Sequence, residues 1–270
     1  MRELKVSIVV STYNRPDALN SVLNSILNQT NLPNEIIIAD DGSSNETREL
    51  VDQFMIHSKI TIRHVWHEDK GFRLSEIRNK AIVSAKGDYI IQIDGDTVLH
   101  PKFVRDHMLV AKQGCFVAGS RAMLDNNQTE QMLLAPQKGN NPQIFNCKTL
   151  RVFWLMKFLS LRSISSLSYK NIKGCNMAFW KKDFIAVNGY NEDFIGWGSE
   201  DKELETRLLN YGLSRLNLKF GAIQYHLHHH ENCKARTFRN EYIAQLAKQK
   251  KLLKCLNGID KYQINQTQLT

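Results

Sequence analysis

The 270-residue sequence is 42% hydrophobic and 23% charged, and its 36 Lys and Arg outnumber 27 Asp and Glu for a formal net charge of +9. That balance fits a soluble globular chain with room for one large α/β domain or two small ones. No apolar run approaches the ~18–20 residues that cross a bilayer, and five dispersed cysteines with no Cys-x-x-Cys pair argue against a disulfide framework or a structural zinc site.

Residues 1–5 lead into a strand without a signal-peptide apolar segment, so the expected location is the cytoplasm. Residues 5–12 (KVSIVVST) read as a buried strand rich in β-branched side chains. Pro16 suits a helix start, and Leu19, Val22, Leu23, Ile26 and Leu27 then recur at helical spacing. A second strand, 35–39, ends in Asp40-Asp41-Gly42. Ser43-Ser44-Asn45-Glu46 follows with the Ser-x-x-Glu spacing of a capping box. Residues 61–66 make a third strand. Residues 74–86 carry Ile77, Ala81, Ile82 and Ala85 at helical spacing, with Gly87 placed as a helix-ending glycine. A fourth strand begins at Tyr89 and runs YIIQI into Asp94-Gly95-Asp96.

Four such alternations predict a mostly parallel sheet with helices on both faces, which binds ligands at the carboxyl ends of its strands. Thr12 and Tyr13, Asp40 and Asp41, and Asp94 and Asp96 all fall on those ends. Asp94 and Asp96 have the composition of a solvated turn, but they would also repel unless a divalent cation or a set of donors lay between them. Their hard oxygens suit Mg²⁺ or Mn²⁺. Neither Gly-x-Gly-x-x-Gly nor a P-loop is present, which argues against a dehydrogenase or a P-loop NTPase.

Further on, 101–112 reads as a helix and 115–122 as a strand, with loops at 125–128 and 138–142. Residues 150–161 are apolar with basic residues interspersed, either a core helix or one that meets a membrane or guides an acceptor. Residues 174–180 are strand-like, and 182–187 make a short helix ended by Gly189. Phe194-Ile195-Gly196-Trp197-Gly198-Ser199 then leads into Glu200 and Asp201 in the first turn of another helix. A strand over 216–229 puts His226 and His228 on one face, where one of them can complete a metal site. Residues 235–256 read as a basic helix. Positive charge is concentrated: 131–182 holds nine Lys or Arg and no acid, and 231–261 adds eight basic residues against three acidic.

In order and spacing, 6–16 (VSIVVSTYNRP), 36–43 (IIIADDGS), Arg78-Asn79 and 87–96 (GDYIIQIDGD) resemble the family-2 glycosyltransferases of GT-A fold, a match across residues 5–120. The stretch from Asn188-Gly189-Tyr190 to Glu200-Asp201 resembles the acceptor-side segment of β-1,4-galactosyltransferases and polypeptide N-acetylgalactosaminyltransferases. Ser199 stands where the galactosyltransferase motif has glycine.

The resemblance implies one α/β GT-A domain over 1–270: a nucleotide-sugar half (1–123), an acceptor half (124–230) and a basic helical extension (231–270). It implies that Thr12, Tyr13, Arg15, Arg78 and Gly95 bind the nucleotide sugar, that Asp40 bonds the uracil ring, and that Asp94 touches the ribose or the sugar. Asp96 would ligate Mn²⁺ or Mg²⁺ at the diphosphate, with His226 completing the site and His228 in reserve. Asp201 would be the general base, with Glu200 on acceptor hydroxyls and Trp197 beneath a sugar face. The expected reaction is an inverting transfer of Gal, GalNAc or GlcNAc from a UDP-sugar to a glycan or lipid-linked acceptor, in synthesis of bacterial surface polysaccharide. The basic segments are read as peripheral contact with an anionic membrane at its cytoplasmic face, with no nucleic acid partner. Two rival readings are a sugar-nucleotide nucleotidyltransferase, whose glycine-rich, arginine-containing N-terminal loop is missing, and a basic nucleic-acid-binding protein, for which no motif is present.

Overall fold

The computed structural model describes residues 4–134, 151–160, 174–229 and 237–262. β1 (Val6–Thr12) buries seven residues in succession, as a strand covered on both faces must. It pairs in parallel with β2 (Glu35–Asp40) and β4 (Tyr89–Asp94), and β3 (Thr61–Trp66) extends the sheet beyond β2. The crossovers are α1 (Pro16–Leu27), α2 (Asn45–His57) and α3 (Leu74–Ser84). Ile8, Val10, Ile36 and Ile91 pack with Leu19, Val22 and Leu23 of α1 on one face. Val9, Ile37 and Ile90 pack with Ile77, Ala81 and Ile82 of α3 on the other. Each strand thus feeds two cores, which explains its unbroken apolar run. The register sets Thr12 level with Asp40 and Ser11 level with Asp94, so three polar strand ends meet at one edge.

Beyond Asp94 come β5 (Thr97–Leu99), α4 (Phe103–Val110), β6 (Cys115–Ala118), β7 (Ala122–Met123), α5 (Asn126–Leu134), α6 (Phe153–Ser160) and β8 (Asn176–Trp180). The last elements are α7 (Lys181–Ala186), α8 (Glu200–Asn210), β9 (Ser214–Asn217), β10 (Gln224–His226) and α9 (Thr237–Gln249). β8 inserts antiparallel between β4 and β6, giving the order β3-β2-β1-β4-β8-β6-β9. β5, β10 and β7 form a second sheet of three strands, which carries His226 to within reach of Asp96. Strands from 124–230 therefore complete both sheets, so this stretch interleaves with residues 1–123.

Local structure departs from the sequence reading at several points. Asp125–Gln128 opens α5 instead of forming a loop: Gln128 N donates to Asp125 Oδ1 (2.8 Å) and Asp125 N to Gln128 Oε1 (3.0 Å). That reciprocal pair is a capping box, in which Asp does what Ser or Thr usually does. The Ser-x-x-Glu at 43–46 is not one, because Ser43 Oγ accepts from Asn14 N (2.8 Å) and Ser44 caps α2 through its backbone alone. Gly87, expected to end α3, lies against β1, where a Cβ would collide with Ser7. The strand expected over 216–229 is two strands, β9 and β10, and 115–122 likewise divides into β6 and β7. The loop expected at 138–142 lies outside the described residues.

Of the apolar run at 150–161, the structure describes 151–160. Met156 is buried, whereas Trp154 and Phe158 are 77% and 54% exposed. Arg151 ties this segment to the core through Asp106, with Nε to Oδ2 at 2.9 Å and Nη2 to Oδ1 at 2.6 Å. Only one side of α6 is therefore a core helix.

Candidate active site

The carboxyl ends of β1 and β4, the start of α8 and the second sheet surround a cavity of about 520 Å³. At its floor lies Arg78 of α3, 1% exposed. Its Nε donates to Ser11 Oγ (3.0 Å), Nη2 to Asp94 Oδ1 (2.9 Å) and Nη1 to Asp201 Oδ1 (3.1 Å), and Glu200 Oε1 lies 4.0 Å away. Burial works against its charge, but Tyr190 and the acids Asp201, Asp94 and Glu200 outweigh that and raise its pKa. Arg78 thus joins β1 and β4 to α8 by satisfying three groups at once.

Asp201 accepts from Arg78, from the Tyr190 hydroxyl (2.9 Å) and from Gly174 N (2.9 Å). Glu200 differs: its Oε2 is buried with no partner, and burial, with the charge of Asp201, pushes its carboxyl up to about 7. Burial likewise lifts Asp94 to about 6 against the pull of Arg78. Trp197, 43% exposed, edges the cavity. Ser199 adopts φ 72°, a left-handed backbone that glycine takes freely and that costs other residues ~1–2 kcal/mol. The glycine in the galactosyltransferase motif is the residue this turn favours.

Asp96, at the tip of the β4–β5 turn, faces two imidazoles. His229 Nε2 is 3.1 Å from Oδ2 and His226 Nε2 is 3.6 Å from Oδ1. Ligand atoms of Asp96, His226 and His229 lie within 4.8 Å of one another. Burial holds His226 down at about 4, so its imidazole is neutral at pH 7, the form a metal requires. Asp96 Oδ1 is buried without a hydrogen-bond partner. An orphaned carboxylate oxygen beside a neutral imidazole fits a divalent cation. His226, the expected histidine, is in the cluster, His229 joins it unforeseen, and the reserve, His228, lies on the cavity wall outside it. His229 carried no periodic signal because the strand ends at His226; Leu227 N then donates to Asp96 O (2.9 Å) and the chain turns.

At and just past the end of β1, Thr12 and Arg15 line the cavity, each with a buried polar atom lacking a partner, and Tyr13 OH donates to Asp69 (2.9 Å). Gly95 is on the wall too, and a Cβ there would come within 2.9 Å of Ser11 O. Asp40 is not on it. Fully buried, it accepts from Ser43 N (2.8 Å) and pairs with His64 Nε2 (2.9 Å), so both oxygens are turned into the fold. Asp41 reaches the cavity instead, held by His67 Nε2 (2.6 Å) and Arg73 N (2.9 Å). Asp40, the carboxylate expected to bond a uracil ring, therefore stands off this cavity, and the acid of the pair on its wall is the residue just past β2. Arg121, Cys175, Thr237 and Glu241 also line the cavity and carry no sequence signal.

The family model described as Glycosyl transferase family 2 matches residues 7–167, and that described as N-terminal domain of galactosyltransferase matches 162–231. The chain belongs to glycosyl transferase family 2. This transferase is 31% identical over 239 residues to a hyaluronan synthase of Pasteurella multocida, covering 82% of the chain and 24% of the relative. It is 29% identical over 239 residues to a chondroitin synthase of Escherichia coli, covering 82% and 34%. The chain thus spans a quarter to a third of the length of these relatives. Among solved structures, S. aureus TarS 1-349 in complex with UDP-GlcNAc superposes with a TM-score of 0.57 at 14% identity, covering 85% of this chain and 60% of that one. The mannosyltransferase PcManGT from Pyrobaculum calidifontis, in complex with GDP-Man and Mn²⁺, gives 0.59 at 15%, covering 93% and 73%. The transferase therefore has the GT-A fold.

Proposed function

We propose that the transferase moves a sugar from a UDP-sugar to a hydroxyl of a glycan or lipid-linked acceptor, with metal dependence and inversion, in synthesis of bacterial surface polysaccharide. The observation that carries this is the Asp96, His226 and His229 cluster on the wall of a cavity whose other side holds two acids of α8. A divalent ion bound there would neutralise the departing diphosphate. The mixed oxygen and imidazole donors favour Mn²⁺ over Mg²⁺. Thr12, Tyr13, Arg15 and Asp41 hold the nucleotide, with Arg78 and Asp94 beside the sugar and Gly95 letting the β4 turn close on β1. Gal, GalNAc and GlcNAc are the donors the α8 motif favours.

Asp201 is the proposed base, fixed in place by Arg78, Tyr190 and Gly174, and Trp197 and Glu200 meet the acceptor. A specific observation supports a second assignment. Glu200 has an unpartnered oxygen and a pKa near neutrality, both suited to receiving a proton. Asp94 is paired with Arg78 (2.9 Å), which ties up an oxygen that a covalent nucleophile would need and supports a single displacement. Surplus positive charge supports peripheral contact with an anionic membrane on its cytoplasmic side.

The test is UDP release from a panel of UDP-sugars with Mn²⁺, repeated in EDTA and with Asp96→Ala. Turnover of one donor, lost in both controls, is the expected result. No binding or turnover of any nucleotide sugar would sink the reading.

A further inference from the structure

We infer that Arg121 is an anion-binding residue of the cavity, whose guanidinium takes an oxygen of the donor diphosphate or of a sugar carboxylate. This rests on the reading of the cavity as a nucleotide-sugar site. Arg121 precedes β7, which runs beside β10 with Ala122 level with Tyr225 and Met123 level with His226. The turn that carries it is pinned to β8, since Gly119 N donates to Asn176 O (2.8 Å) and Asn176 Nδ2 to Ser120 O (2.8 Å). The backbone therefore delivers this side chain to the cavity alongside the strand that bears a metal-cluster histidine.

What the guanidinium meets there is incomplete. Nη1 lies 3.7 Å from Cys175 Sγ, a weak acceptor already engaged by Gln224 Nε2 at 3.3 Å. Burial pushes the Cys175 thiol up to about 12, so it is neutral and offers no counter-charge. Arg121 Nε is buried without a partner, and among the described residues no carboxylate lies within 4.0 Å of the side chain. The nearby acids are committed elsewhere, Asp94 to Arg78 and Asp96 to His226 and His229.

A half-buried cation with an unsatisfied N–H is unfavourable unless something anionic completes it. A planar guanidinium beside a cation-binding cluster matches phosphate or carboxylate oxygens in its fork geometry. Buried Arg207 and Arg215 show the contrast, since each has its own glutamate, Glu203 and Glu205. Arg121, unlike them, faces the substrate space.

The experiment is calorimetric titration of uridine, UMP and UDP, with Mn²⁺, into the parent protein, Arg121→Gln and Arg121→Lys. It is paired with turnover of matched neutral and uronic-acid donors and acceptors. If the diphosphate is the ligand, Arg121→Gln binds uridine as the parent does and UDP at least about tenfold more weakly, with Lys partly restoring it. If a sugar carboxylate is the ligand, UDP binding is unchanged and KM rises only for the uronic-acid substrate. Unchanged UDP binding together with unchanged KM for every substrate would overturn the inference. A parent protein that binds no uridine nucleotide would instead overturn the reading on which it rests.

Discussion

Asp94, Glu200 and Asp201 converge on Arg78, and burial raises the carboxyls of Asp94 and Glu200 there. Glu200 is the sharpest case. Raised to about 7 by burial and the charge of Asp201, it is protonated below that pH and ionised above it. If Glu200 receives the acceptor proton, kcat/KM rises through about pH 7 and Glu200→Gln abolishes that limb. If Asp201 is the base, activity collapses in Asp201→Asn while Glu200→Gln retains turnover. The same shift works against the fold: between the ordinary glutamate range and about 7 the folded state keeps a proton that the unfolded chain has lost. Stability falls as pH rises through that window, and Glu200→Gln melts above the parent at pH 8.

The histidines give a second contrast. His229→Ala weakens Mn²⁺ binding by at least ~10-fold, the scale seen even for groups one shell further out, whereas His228→Ala leaves it within about twofold. Equal effects measured by titration would dissolve the assigned cluster. Asp96, His226 and the α8 acids were legible because motif spacing carries them. His229 was not, and Asp41, though placed at a strand end, could not be told from Asp40, because each lies just past a strand, where side-chain direction follows the turn rather than the alternation.

Consecutive residues of α3 divide two tasks, since adjacent side chains on a helix point about 100° apart. Arg78 turns to the cavity, and Asn79, also fully buried, turns to the segment before α8. Asn79 Oδ1 accepts from Tyr190 N (2.8 Å), while Nδ2 donates to Tyr190 O (2.8 Å) and Glu192 Oε1 (2.8 Å). Tyr190 in turn donates to Asp201, so the amide fixes an acid of the site from a distance. Asn79→Ala leaves a buried backbone donor and acceptor unmet, and denaturant melts should show a loss of about 2–4 kcal/mol. A loss below ~0.5 kcal/mol would mean that water replaces the amide. The sequence shows that 78–79 is a motif but not that its halves serve different partners, because the 190–192 segment meets α3 only through tertiary folding. Strand and helix alternation up to β4 was readable from local pattern. Beyond it, β8 and β10 join strands far away in the chain, and short strands such as β7 carry too few residues for a period to show.

Across the molecule, charge and exposed apolar surface coincide in one part of the chain. Residues 131–182 carry nine basic residues and no acid, and within them α6 exposes Trp154, Leu155 and Phe158 while Met156 and the Arg151–Asp106 pair bind it to the core. The apolar character of this run was legible in the sequence. Which side faces outward was not, because that depends on where Asp106 and Gly221 lie. No helix among the described residues is long and apolar enough to cross a membrane. Aromatic side chains partition to the headgroup level, and each Lys or Arg near an anionic surface contributes ~1 kcal/mol. Sedimentation with vesicles should therefore show at least ~10-fold stronger partition to anionic than to neutral lipid, reduced by salt as surface charges are screened. Trp154→Ala with Phe158→Ala should weaken partition at every salt concentration, since it removes the apolar contribution and leaves the charges. Equal partition to both lipids would assign the positive charge to an acidic acceptor instead, because the same residues would then have only the substrate left to attract.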